Sequence, residues 1–357
     1  MPRKAAMIQS LMECGYVVTF LPVRSNQFGA AVSRLQQLGV EVLSGGARLQ
    51  EELVARAGLF DAVIVSRPHN AKLMSLVKSI NRAAAIVYDA EAVFAYRTIS
   101  QAACEGHPLS ARDAEALVAS EVVQVDEADL VLVVSAQEQR TIQRYRPERE
   151  AVVWGDCVEV RKDAPGFAER SGVLFVGYLG SPPNADAVRY FITKVWPTVS
   201  SNLDSELIVV GADAPAELGE LATSLAGRVR VVGFVDDLRP YYDRCRVFVA
   251  PHRFAAGLPH KVVEAVAEGI PCVVSDLLGQ QLEFADGDQA LIAGDPETLA
   301  QKVVQLHEDR SLWERVQAAS MQVVRERYET SIAKKVLGQS VERAIEVRSG
   351  KGAGVRS

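Results

Sequence analysis

Three charged side chains stand at suggestive spacing in RFAAGLPHKVVEAVAEGIP, the segment from Arg253 to Pro271. Arg253 lies at the exit of the apolar run CRVFVAP, Lys261 follows a loop containing Gly257 and Pro259, and Glu264 comes three residues later. A helix beginning near Pro259 would turn its free amides and the positive end of its dipole toward the strand exit, a setting suited to phosphate. Gly257 lets the backbone approach closely, and Arg253 and Lys261 add two full positive charges around the same point. Residues 261 and 264 share a helix face. A carboxylate placed there suits two adjacent hydroxyls, such as those of a ribose, which need two acceptor oxygens side by side. The same residues also fit a surface Lys261–Glu264 pair worth about 0.2–1 kcal/mol beside a solvated Arg253. Spacing leaves both readings open.

Other reactive side chains are less eloquent. His69 follows the strand-like run DAVIVSR and is either a solvated loop residue or part of a site. Asp89 and Glu91, in VYDAEAVFAYR, are candidates for contact with a second substrate and equally for helix caps. The DxD triplet Asp286, Gly287, Asp288 reads as a turn between a helix and a strand rather than a metal site. The five cysteines are scattered without metal-like spacing and read as reduced thiols, with Cys245 and Cys272 buried in apolar strands.

The elements that must hold these residues alternate. YVVTFLP, VEVL, DAVIVSR, AAIVYDA and DLVLVVS in the first half read as buried strands, separated by amphipathic stretches such as NQFGAAVSRLQQLG and HNAKLMSLVKSINRA. GVLFVGYLG, SELIVVGAD, VRVVGFVDD, CRVFVAP, IPCVVSD and ALIAGD repeat the pattern in the second half. This βα order implies α/β architecture with two Rossmann-like domains of parallel strands, and a ligand in the cleft between their strand ends. The segment WGDCVEVRKDAPGFAERSG marks the boundary near residue 160. The domains are therefore expected at 1–160 and 161–330, with a helix at 331–347 able to pack back on the first domain and a disordered tail at 348–357. Residues 97–126 read as two helices broken at EGHPLS, the second capped by Ser110 or Asp113, and 297–347 as three helices. The first pair forms either one wall of a cleft or an ordinary crossover.

Composition narrows the function classes. With 48% apolar and 24% charged residues the chain is globular, and a formal charge of -6 argues against nucleic-acid binding, which needs a basic surface. The N-terminus is too polar for a signal peptide, and no apolar run reaches the roughly 18 residues that span a bilayer. A cytoplasmic location is expected, with peripheral attachment to the inner membrane face left open.

The segment from Arg253 resembles the donor-site signature of the retaining glycosyltransferases of family 4, whose GT-B fold has two facing Rossmann-like domains. It is most similar to a bacterial subgroup with arginine, phenylalanine, a small Gly/Ala-rich loop, lysine, two residues and Glu-Ala. FVGYLGSPPNADAVRYFITKVWPTV, VRVVGFVDDLRPYYDRCRVFVAP and VYDAEAVFAYR resemble further parts of the family pattern. The resemblance implies that Glu264 holds the donor ribose, Arg253 and Lys261 act catalytically on the diphosphate, and the backbone at Phe234 and Val235 meets the base edge. It adds Gly177, Gly257 and Leu258 to the nucleotide site and sets His69 near the donor sugar. It implies no cofactor beyond the nucleotide-sugar donor, UDP- or GDP-linked, no metal, and a glycan or lipid-linked acceptor in bacterial surface polysaccharide synthesis.

The chain departs from the family at three places. Ala256 stands where many members have a first glutamate. Tyr178 and the run SPPNAD replace an Arg and a Lys after the first strand of the second domain, with Asn184 expected to cap the following helix. The sequence starts almost inside the first helix, near Ala5, so one strand and one loop of the first domain are expected to be missing. A degenerate GT-B module that binds a nucleotide, glycan or partner is therefore the alternative to a working transferase, and a nucleotide-sugar epimerase a third reading. Sequence fixes neither the sugar nor the oligomeric state.

Overall fold

Runs of Val, Ile and Leu too apolar for either face to meet water become the buried centres of two parallel sheets. The computed structural model describes residues 2–23, 29–43, 45–225 and 228–350. Two units are present, one drawn from Met1–Val93, Glu115–Cys157 and Thr330–Ser357, the other from Phe94–Ala114 and Val158–Glu329.

In the first unit β1 (Thr19–Phe20) and β2 (Glu41–Val42) form a two-stranded parallel ribbon. A separate parallel sheet has the order β3 (Ala62–Ser66), β4 (Ala85–Asp89), β5 (Leu130–Val133), β6 (Ala151–Val153). The run YVVTFLP therefore supplies only two strand residues, and β6 was not legible in the sequence because three residues, AVV, are too few to show a period. The helices Pro2–Glu13 and Thr330–Arg348 pack on this unit, with Met7, Leu11, Leu337 and Val341 in one apolar cluster with Val87 and Leu132. Of the expected tail, Arg348 closes the last helix and residues 351–357 lie outside the described residues. Residues 26–28 of the expected helix NQFGAAVSRLQQLG also lie outside them, and Gly29–Gln37 is helical.

An ion pair stands inside this unit at the carboxyl end of β4. Arg3 donates through Nη1 to both oxygens of Asp89 (2.8 and 2.9 Å), through Nε to the Gly155 carbonyl and through Nη2 to the Trp154 carbonyl, and stacks on the Trp154 ring. Asp89 is fully buried and also accepts from Ser66 Oγ. Its partners are structural. Glu91, with φ 57°, accepts instead from Arg67, itself at φ 78°, and faces Lys4.

The second unit has one six-stranded parallel sheet. Its strands are β7 (Val173–Val176), β8 (Leu207–Val210), β9 (Val229–Gly233), β10 (Val247–Ala250), β11 (Cys272–Val274) and β12 (Leu291–Ile292), all anticipated in the sequence. Their order is β12-β11-β10-β7-β8-β9. The chain reverses direction across the sheet between β7 and β10, and the carboxyl ends there form the crevice where doubly wound sheets bind ligands. Trp196, Trp313, Phe175 and Phe191 fill the core around it.

Three helices follow β12, at Pro296–Glu308, Arg310–Tyr328 and Thr330–Arg348, as the spacing anticipates. The earlier pair is Ala95–Cys104 and Ala111–Val122, with Ser110 Oγ accepting from the Asp113 amide as the cap. Its first helix clusters with the second unit. Asp286–Gly287–Asp288 is a turn in which the Gly287 amide donates to the Ala290 carbonyl and Asp286 accepts from Lys302. All five cysteines are free thiols; Cys245 and Cys272 are fully buried, and burial pushes the Cys245 thiol up to about 12.

Candidate active site

The helix His260–Ala267 starts one residue after Pro259, its N-cap, as the sequence anticipates. Val262, Val263 and Val266 are completely buried, each contributing on the order of 1.5–3 kcal/mol of apolar burial that fixes the helix against the sheet. Its far end is secured by Arg170, a buried guanidinium whose Nη2 donates to the Glu268 carbonyl (2.9 Å), while Nη1 serves the carbonyls of Tyr242 and Cys245. A cation against carbonyls at two helix ends complements both dipoles. Burial lowers the Arg170 guanidinium to about 10, leaving it charged at neutral pH.

This helix carries Lys261 to the switch point. The Lys261 ammonium donates to Asn184 Oδ1 and lies 3.1 Å from His252 Nε2 and 5.3 Å from the centre of the Phe175 ring. The residue as a whole is only half-buried, yet its ammonium is enclosed by these three groups, and that burial lowers it from the ordinary lysine value to about 7. His252 is buried and stacked on Phe175. Burial, and then the Lys261 charge, hold its imidazole well below the ordinary histidine value. His252 Nε2 also lies 3.0 Å from Asn184 Oδ1: a neutral ring with Nε2 bare accepts from the ammonium, and one with Nε2 protonated donates to the amide oxygen.

Gly177, just after β7, closes the same corner. A Cβ there would lie 3.0 Å from Asn184 Nδ2 and 3.2 Å from Lys261 Nζ, so a larger residue would require these two side-chain ends to give way by a few tenths of an ångström. Asn184 departs from its expected role as a helix cap. Ser181 is the N-cap of Pro182–Tyr190, and Asn184, inside the first turn, donates through Nδ2 to the Tyr178 carbonyl while Oδ1 meets Lys261 and His252. The helix starts three residues earlier than an Asn184 cap would set it, at Pro182, which places Asn184 where its side chain reaches the residues that follow β10.

Arg253 follows β10 by three residues. Its Nε donates to Asp186 Oδ2 (2.9 Å) and its Nη2 to Asp186 Oδ1, and the guanidinium lies 5.2 Å from the Tyr190 ring centre. Sequence reading anticipated the cation but not this carboxylate, nor His252. The spacing of Asn184 and Asp186 in SPPNADAV was the available signal: two polar side chains two residues apart near the start of the helix.

The remaining candidates distribute as follows. Glu264 is half-buried on the helix of Lys261, Leu258 is buried, and Gly257 has φ 80°, a conformation that favours glycine. Phe234 and Val235 follow β9 at the sheet edge, Phe234 73% exposed and therefore available for contact. Tyr178 is exposed after β7, and its hydrogen bond with Asp213 pushes the phenol up. His69 is exposed in the turn Pro68–Asn70 after β3, in the first unit.

Residues 170–309 match the family model described as glycosyl transferases group 1. The chain is a GT-B protein carrying a group 1 glycosyltransferase domain. The GT-B fold anticipated from the sequence thus holds, and the anticipated family is matched over residues 170–309. Over 213 residues, 55% of the chain, the sequence is 31% identical to phosphatidyl-myo-inositol mannosyltransferase of Mycolicibacterium smegmatis, covering 53% of that protein. It is 36% identical over 99 residues to the lipopolysaccharide core biosynthesis glycosyltransferase LpsE of Rhizobium meliloti, covering 27% of the chain and 29% of LpsE. The chain thus spans about half the length or less of these relatives. Anabaena Alr3699/HepE in complex with UDP-glucose shares the fold at TM-score 0.72, with 17% identity and 96% of both chains covered. A glycosyltransferase from Rickettsia africae ESF-5 does so at TM-score 0.67 and 13% identity, with 96% and 93% covered.

Proposed function

We propose that this chain transfers a sugar from a nucleoside-diphosphate sugar, UDP- or GDP-linked, to a glycan or lipid-linked acceptor, with retention of configuration and without a metal ion. The observation that carries the reading is the assembly at the β7/β10 switch point. One helix turn, through Asn184 and Asp186, engages both Lys261 and Arg253 beside the Gly177 corner. Two cations and a helix dipole fixed at one point suit the charge that builds on a departing diphosphate.

In this account the bond between the anomeric carbon and the phosphate oxygen breaks while Lys261 and Arg253 take up the developing charge. The acceptor oxygen bonds to the same face of the sugar, and its proton passes to the departing phosphate oxygen, so no protein nucleophile is required. Glu264 accepts from the ribose hydroxyls, Gly257 and Leu258 line the nucleotide, and the backbone at Phe234 and Val235 meets the base. His69 acts on the transferred sugar.

The bound UDP-glucose named for the Anabaena protein supports a nucleotide-sugar donor. The names of the mycobacterial and rhizobial relatives favour a lipid-linked acceptor and a bacterial surface glycan. No helix among the described residues is long and apolar enough to cross a membrane, and we place the chain in the cytoplasm, in peripheral contact with the inner membrane face.

Thermal shift with UDP, GDP, dTDP and CMP tests the reading, with Glu264→Ala as control. One nucleoside diphosphate is expected to stabilise the wild type and to lose most of that effect in the variant. Absence of stabilisation by any of them overturns the proposal, and binding without turnover of any donor assigns the chain to a nucleotide-binding module instead.

A further inference from the structure

Arg253 is held from several directions. Asp186 takes its Nε and one Nη2 hydrogen in a two-point pair, with 40% of the arginine side chain exposed against 14% of the aspartate. The ring of Tyr190, one helical turn after Asp186 on the same helix, lies under the guanidinium at 5.2 Å. The Arg253 carbonyl accepts from Cys104 Sγ at 3.4 Å. A guanidinium has five N–H donors in a rigid fork. With two committed to Asp186, the Nη1 pair and the second Nη2 hydrogen remain for a ligand.

Asn184, two residues earlier in the same turn, holds the second cation, but with a neutral oxygen. One turn therefore fixes both cations, the buried amine through an amide and the exposed guanidinium through a carboxylate. A free arginine at this exposure samples many rotamers, and ordering it on a phosphate costs that freedom at the moment of binding. A carboxylate that clamps Nε and Nη2 imposes the order beforehand.

We propose that Asp186 is a positioning residue that presents the Nη1 edge of Arg253 to the diphosphate of the donor. The inference rests on the nucleotide-diphosphate reading of the site. The opposing effect is the repulsion between the Asp186 charge and the phosphates, and the two effects carry opposite signs in the experiment.

The test is a double-mutant cycle on UDP affinity with wild type, Asp186→Ala, Arg253→Ala and the double variant, each checked for an unchanged melting temperature. Asp186→Ala is expected to weaken UDP binding about 5- to 20-fold in the wild-type background and less than about twofold in the Arg253→Ala background. Asp186→Asn, which keeps an acceptor and the shape, is expected to retain most of the affinity. Equal or tighter binding by Asp186→Ala, or the same loss in both backgrounds, overturns the proposal. Failure of the wild type to bind UDP or any other nucleoside diphosphate overturns the underlying reading of the site instead. If Asp186→Ala melts early, Asp186→Leu, which removes the acceptor but fills the space, and Tyr190→Leu carry the test: both lie off the ligand, and unchanged affinity in both counts against the clamp.

Discussion

Lys261 makes nucleotide affinity depend on pH in a direction that can be worked out in advance. Its ammonium, held among Asn184, His252 and Phe175, titrates near 7 in the free protein because burial disfavours the charge. A diphosphate beside it favours the charged form, so binding raises its pKa and takes up a proton above pH 7. If the bound value stays above about 10, the affinity falls as pH rises, by about 50-fold or about 2.3 kcal/mol between pH 7 and pH 9. The stability of the free protein moves the opposite way. The unfolded lysine binds its proton up to about 10.4, so between about 7 and 10.4 the unfolded state holds more protons and stability rises with pH. Allowing for the partial exposure of the residue, that rise is about 1–2 kcal/mol. His252 is held well below its ordinary value and stays neutral throughout the window, so it adds nothing. Calorimetric titration of UDP at pH 7, 8 and 9, in buffers of different ionisation enthalpy, measures affinity and proton uptake together, with Lys261→Met as the reference. A flat affinity in the wild type, or the same slope in Lys261→Met, refutes the reasoning.

Further expectations follow from the packing. Gly177→Ala drives a methyl to within 3.0–3.2 Å of Asn184 and Lys261; it is expected to weaken UDP binding about tenfold, at a cost in stability of about 1–3 kcal/mol, read by titration and urea melts. Asp89→Asn leaves the buried Arg3 charge uncompensated and is expected to lower the urea stability of the first unit by about 3–5 kcal/mol with UDP affinity unchanged. His69→Ala is expected to lower turnover of the donor while leaving UDP affinity within about twofold of wild type. Equal loss of affinity would assign His69 to binding instead.

The fold was legible where the signal was long. Six apolar runs in the second half gave the six strands of that sheet, and the Pro259 and Gly269 punctuation bounded the helix of Lys261 and Glu264. Short elements were not: β6 has three residues and β1 only two, below the length at which alternation can be distinguished from chance. At the site, sequence found the cations, because Arg and Lys beside a glycine loop and a helix start have a local meaning. It missed what holds them. His252 meets Lys261 across nine residues, Asn184 across 77 and Asp186 meets Arg253 across 67. Separations of that kind depend on strand order, which no local pattern encodes. The same holds for Asp89: in sequence it resembles Glu91, and only the fold brings Arg3 to it across 86 residues.

The most direct measurement is a crystal structure of the chain with UDP bound. The account predicts the diphosphate at the β7/β10 switch point, within hydrogen-bonding distance of Lys261 and of Arg253 Nη1, with the ribose on Glu264 and the uracil beside Phe234 and Val235. UDP bound with its diphosphate away from both Lys261 and Arg253, or an empty switch point at saturating UDP, would contradict it.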